Sequence, residues 1–207
     1  MPRLRRPPAS IRIPPIWRRR PLLAAVVLMV SLLLAYERLE RPADRDGQTT
    51  HVAGDYARYH HQVFEVIRVI DGDTVRIDAP DGSDPTTSVR LWGVDCPETA
   101  RSPGGAGHYG AEASAFATRR LLGRQVRLEL VPDDTRGRYG RLLAYVCVEP
   151  SGVRFNELLL EHGYAYADPR FAHPRKARFA KLEADARARR AGLWAEVTPA
   201  DMPPWRR

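Results

Sequence analysis

Cysteine is nearly missing from this chain: Cys96 and Cys147 are the only two among 207 residues. Two cysteines set no disulfide framework, and neither lies in the paired spacing of a zinc site or a redox motif. Histidine is scarce as well, at six residues. The adjacent pair His60-His61 lacks the spacing that places two ligands on one helix face, and it reads as solvated residues opening a strand. No internal repeat is present. Acidic residues are missing from positions 1–36, which hold seven arginines (Arg3, Arg5, Arg6, Arg12, Arg18, Arg19, Arg20). That absence changes the meaning of the net charge of +8. Without those arginines, 26 basic residues face 25 acidic ones, so the remainder is nearly neutral. The basicity speaks about a membrane, and any case for nucleic acid must rest on local sites.

A long hydrophobic run is lacking too. The longest, Leu22–Ala35, has Ser31 as its single polar member. As a helix it measures about 21 Å at ~1.5 Å per residue, short of a hydrocarbon core of about 30 Å. Such a length suits a signal-peptide core or a short anchor. Bulky Leu33 two positions before Ala35 argues against cleavage there. The flanking arginines place the N-terminus in the cytoplasm by the positive-inside rule. The expectation is a basic cytoplasmic segment (1–20) and a membrane anchor (21–36), with a removed signal as the alternative. Either arrangement puts the rest of the chain outside the cytoplasm, membrane-held in the first case and secreted or periplasmic in the second.

What is present is an ordinary globular composition, 43% hydrophobic and 28% charged, in a length that suits one domain. Residues 37–60 are polar without an apolar period and read as a linker. From His61 the pattern changes. The segment FEVIRVIDGDTVRIDAP alternates apolar and polar residues around Asp71-Gly72, the signature of a hairpin. Further strands are expected at Thr87–Trp92, Gln125–Val131 and Arg141–Val148. Helices are expected at Gly110–Leu122, from Val153 to His162, and at Pro174–Ala191 with Phe179, Leu182 and Ala186 as its buried stripe. Short strands with intervening helices suggest an α+β fold, mainly β, built as a five-stranded barrel of the oligonucleotide-binding type with about three packed helices. The domain spans 61–196, and 197–207 is a tail.

Three segments concentrate charge where strands should turn: Asp71 to Thr74, Arg90 to Glu98, and Arg138 to Arg141. An Asp-Gly turn accounts for Asp71 and Gly72 but leaves Asp73 unexplained. Flat alternation puts Arg90 and Asp95 on opposite faces, since five is an odd offset; Gly93 permits a bend that brings them to one side. Arginine's planar fork binds two phosphate oxygens at once and stays protonated at any working pH. Two carboxylates without histidine or cysteine pairs favour calcium or magnesium over zinc.

The segments VIDGDTVRI (69–77), RLWGVDCPET (90–99), YGAEASAF (109–116) and RYGRLLAYV (138–146), in order and spacing, resemble the thermonuclease family typified by staphylococcal nuclease. The late GLW at Gly192–Trp194 is similar to that family's C-terminal tryptophan segment. The resemblance implies a calcium-dependent endonuclease acting on DNA and RNA from a barrel of the type above, with a monomer expected. Asp73 and Asp95 resemble its calcium carboxylates, and Cys96 is the residue whose main-chain carbonyl the family offers to the ion. Arg90 and Arg141 resemble the phosphate-clamping arginines. Glu98 resembles the residue that activates or orients the attacking water, and Tyr139 the tyrosine at the nucleotide pocket. Two departures stand out: a longer loop between Ile77 and Arg90, and Gly137 where the family often has aspartate. Tyr166 and Phe171 are candidates for holding a nucleotide but are read first as core packing. The basic run Arg175, Lys176, Arg178 and Lys181 is read first as a solvated helix face. A non-catalytic nucleic-acid or protein binding module on the same barrel is the competing function. A calcium-binding structural domain would leave Arg90 and Arg141 without a task.

Overall fold

The computed structural model describes residues 54–100 and 105–207. The expected basic segment (1–20), the hydrophobic segment (21–36) and the linker up to 53 lie outside the described residues. Among the described residues, no helix is long and apolar enough to cross a membrane.

Alternation of apolar and polar residues builds the barrel. Strand β1 (Val63–Val69) turns through Asp71–Asp73 into β2 (Thr74–Ile77), with Val69 opposite Val75 and a register irregularity between Val66 and Arg68. The Asp71 side chain accepts the main-chain N–H of Asp73 at 3.0 Å, an Asx turn that fixes where Asp73 emerges. Strand β3 (Thr87–Leu91) runs antiparallel to β2 with Thr74 opposite Arg90. A two-residue β4 (Val94–Asp95) follows, then helix α1 (Gly110–Leu121), β5 (Gln125–Glu129) and β6 (Leu142–Val148). Strand β5 pairs antiparallel with both β1 and β6, and β6 pairs in parallel with β3. That parallel pairing closes β1, β2, β3, β5 and β6 into the expected five-stranded barrel.

Val66, Val75, Ile77, Val89, Leu91, Val126, Leu128, Leu142 and Val146 are buried in its core. Burying each such side chain contributes about 1.5–3 kcal/mol. Because successive side chains in a strand alternate faces, Arg90 between buried Val89 and Leu91 is directed to the outer wall.

The expected helix from Val153 begins later. Gly152 takes a positive φ of 66° and returns the chain along β6 as β7 (Val153–Arg154), so the helix, α2, covers Phe155–Glu161. Phe116 of α1 stacks on Phe155 of α2 at 5.7 Å and on Tyr164 at 4.3 Å. Strand β8 (Tyr166–Ala167) pairs with β4, setting Tyr166 opposite Asp95. Helix α3 (Lys176–Ala188) is shorter than expected at both ends, and its stripe Phe179, Leu182, Ala186 is buried as expected, joined by Glu183. Both cysteines are free and buried.

Residues 54–59, within the expected linker, are helical, and Tyr59 is fully buried. Arg136, in the loop after β5, ties this stretch down. Its Nε and Nη2 donate to Asp55 at 2.6 and 2.8 Å, and Nη1 and Nη2 donate to Asp81 at 2.6 and 2.9 Å. Nη1 also donates to the Gly140 carbonyl at 2.9 Å, so this arginine holds the loop carrying Tyr139 and Arg141.

Candidate active site

The site begins at the β1–β2 turn. Asp73 is 1% exposed, and its carboxylate is served from two directions. Oδ2 accepts the Cys96 main-chain N–H at 2.6 Å, while Oδ1 accepts the Thr74 hydroxyl at 3.2 Å and makes an ion pair with Arg90 Nη1. Arg90 reaches the other way through Nη2, which donates to Asp95 Oδ1 at 2.6 Å and to the Val94 carbonyl at 3.2 Å. The bend expected at Gly93 makes this possible. Gly93 has φ 75°, a conformation that costs a side-chain-bearing residue, and a Cβ there would stand 2.6 Å from the His173 ring. The odd offset is undone, and Arg90 and Asp95 share one side.

Arg141 approaches over the strand edge. Its Nη1 lies 3.3 Å from the Thr74 hydroxyl, and its guanidinium sits 5.7 Å from the ring centre of Tyr139. Tyr139 is 78% exposed, an aromatic ring with the Arg138 guanidinium at 6.0 Å and that of Arg141 beside it. Thus Arg141, Thr74, Asp73, Arg90 and Asp95 form one unbroken chain of polar contacts. Arg90 Nε and Arg141 Nε and Nη2 take no partner among the described residues, which leaves donors for an oxyanion.

Glu98 is exposed, three residues past Asp95 on the loop that follows β4. Its carbonyl accepts the Gly107 N–H at 2.8 Å, and a Cβ at Gly110 would come within 2.0 Å of that carbonyl oxygen, so only glycine fits the start of α1 here. Glu98 and Asp95 line one cavity of about 580 Å³, whose other walls include His108, Tyr166, Arg170 and Trp205.

The electrostatics explain why a cation suits this place. Burial pushes the Asp73 carboxyl well up; Arg90 pulls it down, but Asp71 and Asp95 push it up again and the Cys96 N–H offsets only part. Around Asp73 itself, Asp71 and Asp95 add like charge against Arg90, while Arg170 stands beyond Asp95 at 3.6 Å. The donors that Asp73 and Asp95 offer are carboxylate oxygens, a set that matches a hard cation such as calcium. The Cys96 thiol does not compete. It is buried, its sulfur lies 2.7 Å from where a Gly72 Cβ would stand, and burial raises its pKa well above the usual range. Among the described residues, no three His, Cys, Asp or Glu side chains form a ready-made cage, so water or substrate oxygens would complete the coordination.

The remaining candidates separate. Tyr166 is buried, as read from the sequence, and packs edge-on to Trp194 at 5.3 Å. Phe171 is not core packing: it is 55% exposed, because the chain between β8 and α3 loops outward and Arg170 covers its ring at 5.8 Å. The basic run is largely paired with acids: Arg175 with Glu129 and Glu157, Arg178 with Glu157 and Glu161, and Lys181 with Asp185. Two residues at the site escaped the sequence reading. Arg170 lies 3.6 Å from Asp95, and Trp205 donates its indole N–H to Asp95 Oδ2 at 2.8 Å. The signal for Trp205, a tryptophan after two prolines near the chain end, gave no hint of its partner.

Residues 88–196 match the model of the family described as staphylococcal nuclease homologue. The thermonuclease of Staphylococcus hyicus is 37% identical over 139 residues, covering 66% of this chain and 78% of that protein. Endonuclease Htp3 of Saprolegnia parasitica is 30% identical over 198 residues, covering 87% of this chain and 92% of that protein. The micrococcal nuclease of Shigella flexneri is 30% identical over 151 residues, with 69% and 79% covered.

Proposed function

We propose that this chain, which belongs to the staphylococcal nuclease homologue family, is a calcium-dependent nuclease cutting phosphodiester bonds of DNA, RNA or both. It works as a monomer held to the cytoplasmic membrane by its N-terminal segment, with the barrel outside the cytoplasm. The observation that carries the catalytic reading is the contact chain from Arg141 through Thr74, Asp73 and Arg90 to Asp95, beside the cavity that Asp95 and Glu98 line.

The roles follow from the charge of the substrate. A phosphodiester repels an attacking nucleophile, and more negative charge develops on its oxygens as the new bond forms. Arg90 and Arg141 keep N–H donors for those oxygens; each preorganised donor of this kind is worth about 3–4 kcal/mol in the transition state. Calcium, when held by Asp73, Asp95 and the Cys96 carbonyl, supplies further neutralisation and a site for water. Glu98 takes the proton of the attacking water. The phosphorus bond to the leaving sugar oxygen breaks as the new one forms, and that oxygen takes a proton from solvent. Tyr139 offers its exposed ring for base stacking, worth about 1–3 kcal/mol per base in single-strand sites.

The test is release of acid-soluble nucleotide from DNA and RNA by the full chain, with calcium and with a chelator. Loss of activity in chelator is expected, together with a fall of about 10²–10⁴ in Glu98→Gln. Activity that persists in chelator, or an undiminished Glu98→Gln, would overturn the mechanism. Binding of nucleic acid without cleavage would instead favour the non-catalytic module. For the anchor, the chain is expected in the membrane fraction, digestible by protease added outside intact cells.

A further inference from the structure

The residues after the matched family segment, 197–207, fold back onto the site. Thr198 and Asp201 cap a 3-10 turn at Pro199–Asp201, with the Thr198 hydroxyl 2.6 Å from the Asp201 carboxylate. Pro203 and Pro204 lead into a second turn, Pro204–Arg206, and their fixed φ lowers the entropy lost in holding this shape. Arg206 clamps the end with a two-pronged pair to Glu183 of α3, whose Oε2 also accepts the Ala167 N–H of β8 at 3.0 Å. Between these anchors stands Trp205. Its ring lies edge-on to Tyr166 at 6.3 Å and under the Arg170 guanidinium at 4.6 Å. Its N–H meets Asp95 Oδ2 at 2.8 Å across 110 residues of sequence.

Asp95 is therefore gripped at both oxygens, by Arg90 on Oδ1 and by Trp205 on Oδ2. Each carboxylate oxygen has two acceptor positions, so this grip fixes the plane of the group and leaves lone-pair capacity on Oδ1, while Arg170 stands 3.6 Å from Oδ2. Without Trp205, Asp95 would keep Arg90 on Oδ1 at 2.6 Å and only the longer Arg170 contact of 3.6 Å on Oδ2, which defines the plane of the group less tightly. We propose that Trp205 is a positioning residue that holds Asp95 in the orientation a divalent cation needs, making the C-terminal tail part of the site. The inference rests on the cation reading above.

The experiment compares the full chain with Trp205→Phe, which keeps an aromatic ring between Arg170 and Tyr166 and removes the donor with the five-membered ring that carries it. Calcium affinity is measured by calorimetric titration, and hydrolysis is resolved into kcat and KM. The expected result is calcium binding weaker by about 10–100-fold, the usual cost of losing a hydrogen bond behind a metal ligand. kcat at subsaturating calcium should fall in step, KM for nucleic acid should hold, and saturating calcium should restore most of the rate. The calcium-free melting temperature should be unchanged, since Arg206 and the prolines still hold the tail. Equal affinity in the two proteins would overturn the inference alone, and so would tighter binding in the variant, which would make the tail an inhibitory cap. A collapsed melting temperature would also overturn it by making the indole a structural prop. A wild-type chain that does not bind calcium would overturn the cation reading along with it.

Discussion

Two arginines in this molecule each stand between two aspartates, and the two clusters behave differently. Arg136 presents its edges squarely to Asp55 and Asp81, and its four N–H contacts to them span 2.6–2.9 Å. Arg90 gives one prong to Asp73 and one to Asp95, with a third carboxylate, Asp71, close enough to push the Asp73 pKa up. The same residue types thus make a saturated clamp in one place and an underneutralised pocket in the other. The clamp ties the 54–59 helix to the Tyr139 loop. The pocket keeps donors and carboxylate lone pairs for partners from outside. Charged residues serve the fold where their contacts are complete, and they point to chemistry where burial is deep and pairing is short.

Removing the two arginines separates the clusters most sharply. Arg90→Met should lower nuclease activity about 10²–10³-fold through loss of a transition-state donor. It should also destabilise the fold by about 3–5 kcal/mol, because buried Asp73 loses its counter-charge. Arg136→Met should cost about 1–3 kcal/mol, its carboxylates being better able to reach water. Its kcat should fall far less than that of Arg90→Met below the melting temperature, because only the seating of the loop that carries Arg141 is loosened. Denaturant melts alongside saturated rates check both. An Arg136→Met protein as inactive as Arg90→Met would erase the distinction.

Neutralising one acid in each cluster tests the same contrast from the other side. Asp55→Asn should lower the melting temperature. Asp73→Asn should cost less than Arg90→Met, since burial and two like charges already disfavour the carboxyl it replaces and Arg90 keeps Asp95 as a partner. The variant should still lose activity and its response to calcium. In wild type, calcium at 100 times Kd should add about 2.7 kcal/mol by mass action. Thermal melts with and without calcium measure this; a wild-type shift retained in Asp73→Asn would remove that residue from the cation site.

The contrast also shows what the sequence could carry. Asp73, Arg90 and Asp95 stood out because turn chemistry and strand alternation act over a few residues, whereas Glu98 and Arg141 were singled out by the family resemblance. The structure joins Arg141, Asp73, Arg90 and Asp95 in one set of contacts. Asp71-Gly72 sets the hairpin, and Gly93 predicts the bend that joins Arg90 to Asp95. Alternation marked the strands, but their closure into a barrel through the β3–β6 pairing was carried by the family resemblance. Arg136 was not legible, since in the stretch from Arg136 to Arg141 three arginines look alike and only tertiary partners tell the clamp from the clusterless Arg138. β4 and β8 are two residues each, too short for any period. Phe171 was misread because an isolated aromatic carries no sign of whether its loop turns inward. Trp205 required knowing that a tail follows α3 back to β4.

A third cluster, around Glu129, gathers three arginines that also pair with Glu149 and Glu157, and it gives the smallest effect. Here one carboxylate faces Arg127, Arg154 and Arg175. Burial alone would raise its pKa, but the hydrogen bond and charge of Arg154, the Cys147 thiol and Arg127 overcome this and bring it down to about 2. A carboxyl depressed in the folded state adds stability that is complete above its ordinary value, near 4.5, and drains away as pH falls toward 2. Asp73, shifted upward, has the opposite sign: without a cation its ionisation weakens the fold as pH rises. In calcium-free buffer, Glu129→Gln should therefore lower stability at pH 7 and flatten the loss between about pH 4.5 and 2. Asp73→Asn should leave that acid limb in place. Denaturant melts stepped from pH 7 downward read both slopes, and a steeper acid limb in Glu129→Gln would refute Glu129 as the source of that limb.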